Sequence, residues 1–464
     1  MPTDRKWSVL FAVGVGTFMT ALDSSVANTV LPVIGHSFHA DVEVIEWVIT
    51  IYLLGISGLL LTFGRLGDLH GHRSVYLLGF GVFISASALC GLASSVTSLV
   101  VFRGIQAIGG AMLMANSPAI LTKHFPSSQR GQALGIQATM TYLGLCAGPS
   151  LGGWLTGYLG WRAVFYINIP VGLLALFLSL RYIATDRPLE KERPHPFDLI
   201  GATTFMVGLV ALLLALNQGH AWGWTSPTIV VLLTAAFVLL VLFLAIEHRV
   251  RNPMLDLGLF QVRAFTASAV SAILNYLCTY TVTFLLPFYL IQARGLGPAQ
   301  AGAILTAQPL VMAMTAPLSG TLSDRLGSRL VATPGMAILA AGLFVLSRLD
   351  AQSPLWHVTV GLAIVGLGTG IFISPNNSAL LGTAPVDRRG IAAGVLATAR
   401  NVGMVFGVGL AGAILTTAQT QSSDPANGTL AGIRFGFLAA SGLAILGTFT
   451  SAVRGNGKTY HFIK

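Results

Sequence analysis

The sequence predicts an all-α integral membrane protein: two six-helix bundles in parallel pseudo-repeat, with two additional helices between them. Three observations predict it. Only 9% of the 464 residues are charged and 54% are hydrophobic, whereas soluble domains carry about 25% charged residues. Apolar runs of about 20 residues, each able to cross a hydrocarbon core of about 30 Å, recur along the whole chain. Basic residues collect in every second connector, as topology signals do.

The apolar windows fall at 8–31, 47–65, 75–95, 99–121, 132–156 and 162–183, then at 199–217 and 227–246, and finally at 265–291, 299–321, 331–348, 357–381, 390–417 and 432–452. They make fourteen spans, arranged six, two, six. The first window is too long for a signal-peptide core and no small-residue cleavage site stands out, so Trp7 to Leu31 reads as a retained span. Windows 132–156 and 390–417 are the longest and are Gly-rich, which admits kinks. The polar connector 181–198, "RYIATDRPLEKERPHPFD", reads as a linker, and "EHRVRNPMLDLGLFQVR" at 247–263 closes the extra pair. The expected organisation is an N-terminal bundle over 1–183, linkers and the extra helices over 184–263, a C-terminal bundle over 264–452 and a tail over 453–464.

Loop charge tests the count. With the N-terminus inside, twenty basic residues lie on the inner side, and only Arg162, Arg294, Arg348 and Arg434 lie on the outer side; Arg103 and Arg400 remain within spans. This asymmetry predicts that both termini are cytoplasmic. The net charge of +10 is spread over short connectors, not gathered into a basic patch with interleaved aromatics, so nucleic acid is not an expected partner. Cys90, Cys146 and Cys278 all fall in apolar stretches and read as small buried residues, not as a disulfide or metal pattern.

One connector occurs twice. "GRLGDLHGHR" at 64–73 and "GTLSDRLGSR" at 320–329 each follow the second span of a six-span half. Gly64 aligns with Gly320, Asp68 with Asp324, Gly71 with Gly327 and Arg73 with Arg329. Glycine permits a tight turn, while the aspartate can face a helix N-terminus or an arginine that changes as the halves rock. In the fifth span, "GLCAGPSLGG" at 144–153 places Gly144, Gly148, Gly152 and Gly153 in a stripe nearly free of side chains. Pro149 removes a backbone hydrogen bond there and admits a bend.

These features resemble the major facilitator superfamily, a group with parallel halves and a midplane site. The extra central pair resembles its fourteen-span drug:proton antiporter branch, and the resemblance covers essentially the whole chain. "RGIQAIGGAM" at 103–112 is similar to that family's buried-arginine motif, and the Gly-Pro stretch to its antiporter motif. "LDSSVANTVLP" at 22–32 is similar to the branch's first-helix motif, whose acid is functionally important. The chain departs from the pattern at Leu69, His70 and His72, where basic residues are more usual, and its second half has no clear copy of the Gly-Pro motif. The resemblance implies alternating access, in which the two halves rock around a central cavity.

Of sixteen acidic residues, Asp23 alone sits clearly inside a span. Fifteen residues beyond Ser8, at 1.5 Å each, place it about 22 Å deep, where a charged residue costs roughly 2.5–3.5 kcal/mol. Desolvation favours a neutral carboxyl and a nearby cation favours its anion, so an acid between the two can load and release a proton. Asp23 is therefore the expected proton-coupling residue; the competing reading is a structural acid paired permanently with an arginine or capped by hydroxyls. Arg103 is the expected buried cation, either tuning that proton or bonding helix carbonyls. Glu46, at the outer edge of the second span, is a second proton or cation contact or simply solvated. Arg400 suits a substrate anion or a gating contact. Polar residues within spans that are expected to line a cavity are Asn116, Gln137, Tyr142, Asn275, Tyr276, Tyr280, Gln308, Asn376, Asn377 and Asn401, because lipid-facing polar groups are disfavoured.

No metalloprotease, serine-hydrolase or phosphate-binding loop motif occurs. The expectation is a proton-driven exporter of the cell (inner) membrane, not an enzyme, without ATP, cofactor or metal, acting as a monomer on a small organic solute. By resemblance that solute is lipophilic or cationic, although Arg103 and Arg400 leave anionic or zwitterionic metabolites open. A proton-coupled uptake symporter and a non-transporting membrane protein are the alternatives.

Overall fold

The computed structural model describes residues 3–126, 129–184, 199–223, 225–248, 257–384, 389–422 and 425–453. The linker 185–198 and the connector residues 249–256 lie outside them. Among the described residues there is no strand. In hydrocarbon a backbone group finds a partner only within its own helix or in a closed barrel, and a chain this apolar takes the first course.

The helices are α1 (Thr3–Phe38), α2 (Val42–Ile45), α3 (Trp47–His70), α4 (His72–Gly91), α5 (Val96–His124), α6 (Arg130–Leu159), α7 (Ala163–Tyr166), α8 (Asn168–Tyr182), α9 (Leu199–Trp222) and α10 (Pro227–Glu247). After a short 3₁₀ turn come α11 (Arg263–Pro287), α12 (Pro298–Leu305), α13 (Ala307–Leu326), α14 (Ser328–Leu346), α15 (Leu355–Thr383), α16 (Arg389–Gln421) and α17 (Pro425–Ala452). A π-helical turn, Phe288–Ala293, extends α11.

Twelve stretches of the described residues are long and apolar enough to cross a membrane, against fourteen expected from the sequence. The fifth and seventh windows account for the difference. In α6 the apolar residues are diluted by glycine, proline, serine and threonine. In α9 the described apolar run is only Ile200–Leu216. By contrast α10 is the most apolar stretch, and Val231, Phe237 and Val238 on it are all exposed, as suits a helix bathed in lipid.

The chain folds as two compact units, Met1–Ala211 with Gly295–Thr306, and Leu212–Arg294 with Ala307–Lys464. In the first unit α1 packs on α6 and α8, and α5 on both α3 and α4; in the second, α11 packs on α16 and α17, and α15 on α13 and α14. The same contact recurs in each. A Cβ on Gly109 would lie 2.8 Å from the Gly79 carbonyl oxygen, and one on Gly368 would lie 2.7 Å from that of Gly335. The residue offset relating Gly64 to Gly320 also relates Gly71 to Gly327 and Gly79 to Gly335. Gly71 and Gly327 take φ of 90° and 87°, values that L side chains rarely adopt, and each joins two helices with a single residue.

Between α14 and α15, Asp350 Oδ1 accepts from Ser353 Oγ (2.9 Å) and from the Gln352 N–H (2.8 Å). The Ser353 hydroxyl first, and then the Gln352 N–H, hold the carboxyl below its usual range.

Because helices meet backbone to backbone at these glycines, Gly109→Ala and Gly368→Ala are each expected to destabilise by about 1–3 kcal/mol, the usual cost of overpacking. Thermal unfolding of the purified protein in detergent measures it, and the open position Gly81, where a Cβ meets nothing within 4 Å, is the control.

Candidate functional site

The first unit buries a polar cluster contributed by five spans. Asp23 comes from α1, Val48 and Tyr52 from α3, Ser87 and Cys90 from α4, Arg103 and Gln106 from α5, and Phe165 and Asn168 from α7 and α8. Asp23 is 2% exposed and Arg103 1%, so neither charge reaches solvent. Arg103 Nη1 lies 2.6 Å from Asp23 Oδ2 and donates also to Gln106 Oε1 at 2.6 Å. Its Nε donates to the Val48 carbonyl at 3.1 Å. Its guanidinium stacks 4.1 Å from the Tyr52 ring centroid, a cation–π contact of about 0.5–2 kcal/mol.

The other carboxylate oxygen is held by amides. Asp23 Oδ1 accepts from Asn168 Nδ2 at 2.6 Å and from Gln106 Nε2 at 3.0 Å, and Gln106 Nε2 also reaches Ser87 Oγ at 2.7 Å. Every polar group bonded to Asp23 in this arrangement is a donor, which is the environment of a carboxylate. Ionised groups bonded this way are held well more strongly than neutral ones.

Asp23 and Arg103, each expected within a span but with the partner of Asp23 left open, meet here, and Arg103 bonds both the carboxylate and a helix carbonyl. Sequence reasoning misses the rest of the cluster, Gln106, Ser87, Tyr52 and Asn168. Gln106 stands inside the quoted arginine motif, three residues from Arg103 and so on the same helix face; Asn168 is a buried amide in an otherwise apolar span. Glu46 is buried at the start of α3, not solvated, and is 4% exposed. It is not among the partners that Asp23 bonds.

The remaining candidates fall elsewhere. Asn116 is taken up by the turn after α3: its Oδ1 bonds His72 Nδ1 at 2.8 Å, and its Nδ2 donates to the Phe63 and Met112 carbonyls. Gln137 donates to Ser117 Oγ at 2.7 Å, and Tyr142 is half-buried. In the second unit Asn275 contacts Met336 Sδ, Asn376 donates to the Ser268 carbonyl, and Asn377 is half-buried while Gln308, Tyr280 and Asn401 are buried. Arg400 sits close enough to the Tyr276 phenol to interact electrostatically. Of the duplicated connector, Gly64 and Gly320 are half-buried, Arg73 donates to the Leu180 carbonyl at 3.3 Å and Arg329 is exposed. The side chains of Asp68 and Asp324 lie outside the described residues.

The Gly-Pro stretch packs on two partners within its unit. Gly144, Gly148 and Gly152 meet α1 at Phe18, Ser25 and Val26, and Ser25 Oγ donates to the Leu145 carbonyl at 3.0 Å. On another side Gly153 meets the Pro298 carbonyl, Gly302 meets that of Pro149, and Ser150 bonds Thr306 at 2.6 Å. The second unit has an equivalent that the sequence conceals. Gly403 and Gly407 of α16 pack on α11 at Ile273, Tyr276, Leu277 and Tyr280, without a proline.

Matching these glycine contacts aligns the two units residue by residue. Gly144 on the Phe18 carbonyl corresponds to Gly403 on that of Ile273, and Gly109 on Phe83 corresponds to Gly368 on Leu339. In that register Asp23 corresponds to Cys278, Ser87 to Leu343, Arg103 to Leu362 and Gln106 to Val365, all four of them buried. At these four positions the second unit builds the same helix packing without a charge.

A bundle of long apolar helices made of two repeated units, with the Asp23–Arg103 ion pair sealed inside the first, is the architecture of a polytopic membrane protein. Residues 13–260 and 268–456 match the Major Facilitator Superfamily, and the chain belongs to that superfamily. It is 36% identical over 403 residues to the riboflavin transporter RibZ of Clostridioides difficile (strain 630), covering 87% of each chain. It is 32% identical over 413 residues to the tetracenomycin C resistance and export protein of Streptomyces glaucescens, covering 89% of this chain and 76% of that one. The crystal structure of a bacterial homolog to the human lysosomal transporter Spinster superposes with a TM-score of 0.70 at 16% identity, over 99% of this chain and 98% of the other, a likeness of fold. The protein is therefore a multi-pass inner-membrane transporter of small molecules and not an enzyme.

Removing one member of a buried ion pair leaves the other uncompensated, which costs about 3–5 kcal/mol, whereas replacing both with apolar residues is often close to neutral. Arg103→Leu is expected to destabilise on that order. Asp23→Leu combined with Arg103→Leu is expected to recover most of the loss, approaching the arrangement at Cys278 and Leu362. Unfolding midpoints of the two variants and the parent in detergent decide it; equal midpoints for parent and Arg103→Leu would show that the pair holds nothing.

Proposed function

We propose that the chain is a proton-coupled exporter of drugs or metabolites, working by alternating access, with Asp23 as the main protonation site and Arg103 as its counter-ion. One observation carries the reading. The second unit reproduces the helix packing around Asp23 with Cys278, Leu343, Leu362 and Val365, so the fold does not require the charges of the first. A buried ionisable pair that the architecture can do without, inside a transporter, is best explained by the ion it handles. Export is supported by the relative named as an export protein and by the Gly-Pro stretch on α6. A lipophilic or cationic organic solute is the proposed cargo, moved by a monomer without ATP.

The proposed topology keeps the fourteen spans of the sequence, with α6 and α9 crossing beside the twelve apolar stretches and both termini cytoplasmic. The distribution of twenty inner against four outer basic residues supports it. A second reading, proton-coupled uptake of an organic solute, is favoured by the relative named as a riboflavin transporter.

In proteoliposomes carrying an internal pH dye, adding a transported solute is expected to drive protons opposite to it; co-directional flux selects the uptake reading. Asp23→Asn keeps the size of the side chain but not its proton, and is expected to abolish proton-driven transport while expression and membrane insertion persist. Undiminished proton-driven transport by Asp23→Asn would remove Asp23 from the mechanism.

A further inference from the structure

If Asp23 takes up a proton, its new O–H needs an acceptor, and each of its bonded neighbours now presents a donor. Arg103 has no acceptor to offer. Gln106 is held at both ends: its Nε2 donates to Asp23 and to Ser87 Oγ, while its Oε1 accepts from Arg103 Nη1 at 2.6 Å. Turning that amide over would set an NH₂ against the guanidinium, donor on donor.

Asn168 is held at one end only. Its Nδ2 donates to Asp23 Oδ1 at 2.6 Å and approaches Ser87 Oγ at 3.5 Å. Its Oδ1 is buried and makes no hydrogen bond with the protein, and the residue is 0% exposed. A half-turn about χ2 exchanges the two atoms and brings Oδ1 to the place of Nδ2, a distance suited to an O–H···O bond. Either orientation leaves one amide atom unbonded, so the bonds of Asn168 itself barely prefer one, and the protonation state of Asp23 decides.

The backbone at this point is also loosened. Asn168 opens α8 after a break at Ile167, and Pro170, two residues on, has no N–H to give the Tyr166 carbonyl. The next bond, from the Val171 N–H to the Ile167 carbonyl, is stretched to 3.5 Å.

We propose that Asn168 is a positioning residue that reads the proton on Asp23: its side-chain amide donates to the carboxylate and turns over to accept from the carboxylic acid. The proposal rests on the reading of Asp23 as the protonation site. The proton comes from hydronium in the water on one side of the membrane. The donor's O–H bond breaks as the O–H on Asp23 Oδ1 forms, water is released, and no other covalent bond changes. The ion pair with Arg103 becomes a neutral acid beside a cation.

The test is pH-difference infrared spectroscopy of the full-length protein in lipid, with asparagine carrying a ¹³C side-chain carbonyl. On acidification a protonated carboxyl band is expected that Asp23→Ala lacks. With it, an isotope-sensitive asparagine carbonyl band is expected to shift, and this shift should be lost in both Asp23→Ala and Asn168→Leu. In Asn168→Leu the acid band should also move to the higher frequency of a carboxyl without an acceptor. An Asp23 band with no accompanying asparagine shift overturns the proposal and leaves the protonation site standing. Absence of the Asp23 band overturns both, and shows that the reading of Asp23 failed first. Because Asp23→Ala leaves Arg103 unpaired, Asp23→Leu combined with Arg103→Leu is measured beside it. The comparison of wild type with that double variant stands even if Asp23→Ala or Asn168→Leu does not fold.

Discussion

A carboxylate and a guanidinium cannot stay ionised in a low-dielectric interior unless each answers the other and their remaining hydrogen-bonding groups are also met. That constraint explains the arrangement of the first unit around Asp23 and Arg103. One amide from α5 and one from α8 occupy the second carboxylate oxygen, a carbonyl from α3 takes the arginine Nε, and Tyr52 covers the guanidinium face. Four spans must keep a fixed rotation for these atoms to meet. The pair is thus both a structural clasp and the group whose charge the rest of the unit is arranged to control.

The second unit supplies the comparison that separates those roles. Its helices approach through Gly335 and Gly368, and through Gly403 and Gly407, as the first unit's do through Gly79 and Gly109, and through Gly144 and Gly148. Close approach depends on missing side chains, so van der Waals contact between backbones does the packing in both. What differs is the filling of the space between: Cys278, Leu343, Leu362 and Val365 on one side, Asp23, Ser87, Arg103 and Gln106 on the other. Packing alone asks for the apolar set, and the polar set adds chemistry at an energetic cost.

The fold and the acid were legible in the chain, but the cluster was not. Asp23 stood out because a charge is rare in an apolar run, and Arg103 because it shares a motif with glycines. Asn168 carries no such signal: an amide in a span is common, and whether it faces lipid, carbonyl or carboxylate depends on the rotation of α8. Asn116 shows the converse. Read as a cavity residue for its polarity, it instead secures the turn at His72. The Gly-Pro stretch had a counterpart that matching letters missed, since Gly403 and Gly407 reproduce the contact without the proline.

Composition, the lengths of the apolar runs and the distribution of basic residues determined that this is a helical membrane protein. That follows from transfer energies that each residue carries with it, whatever its neighbours. Tertiary structure alone decided which buried polar groups touch, that Glu46 lies inside and not in water, and that one amide beside Asp23 is bonded at one end only. Such facts depend on the rotation and register of helices far apart in sequence, and a hydrogen bond is made or lost over a few tenths of an ångström.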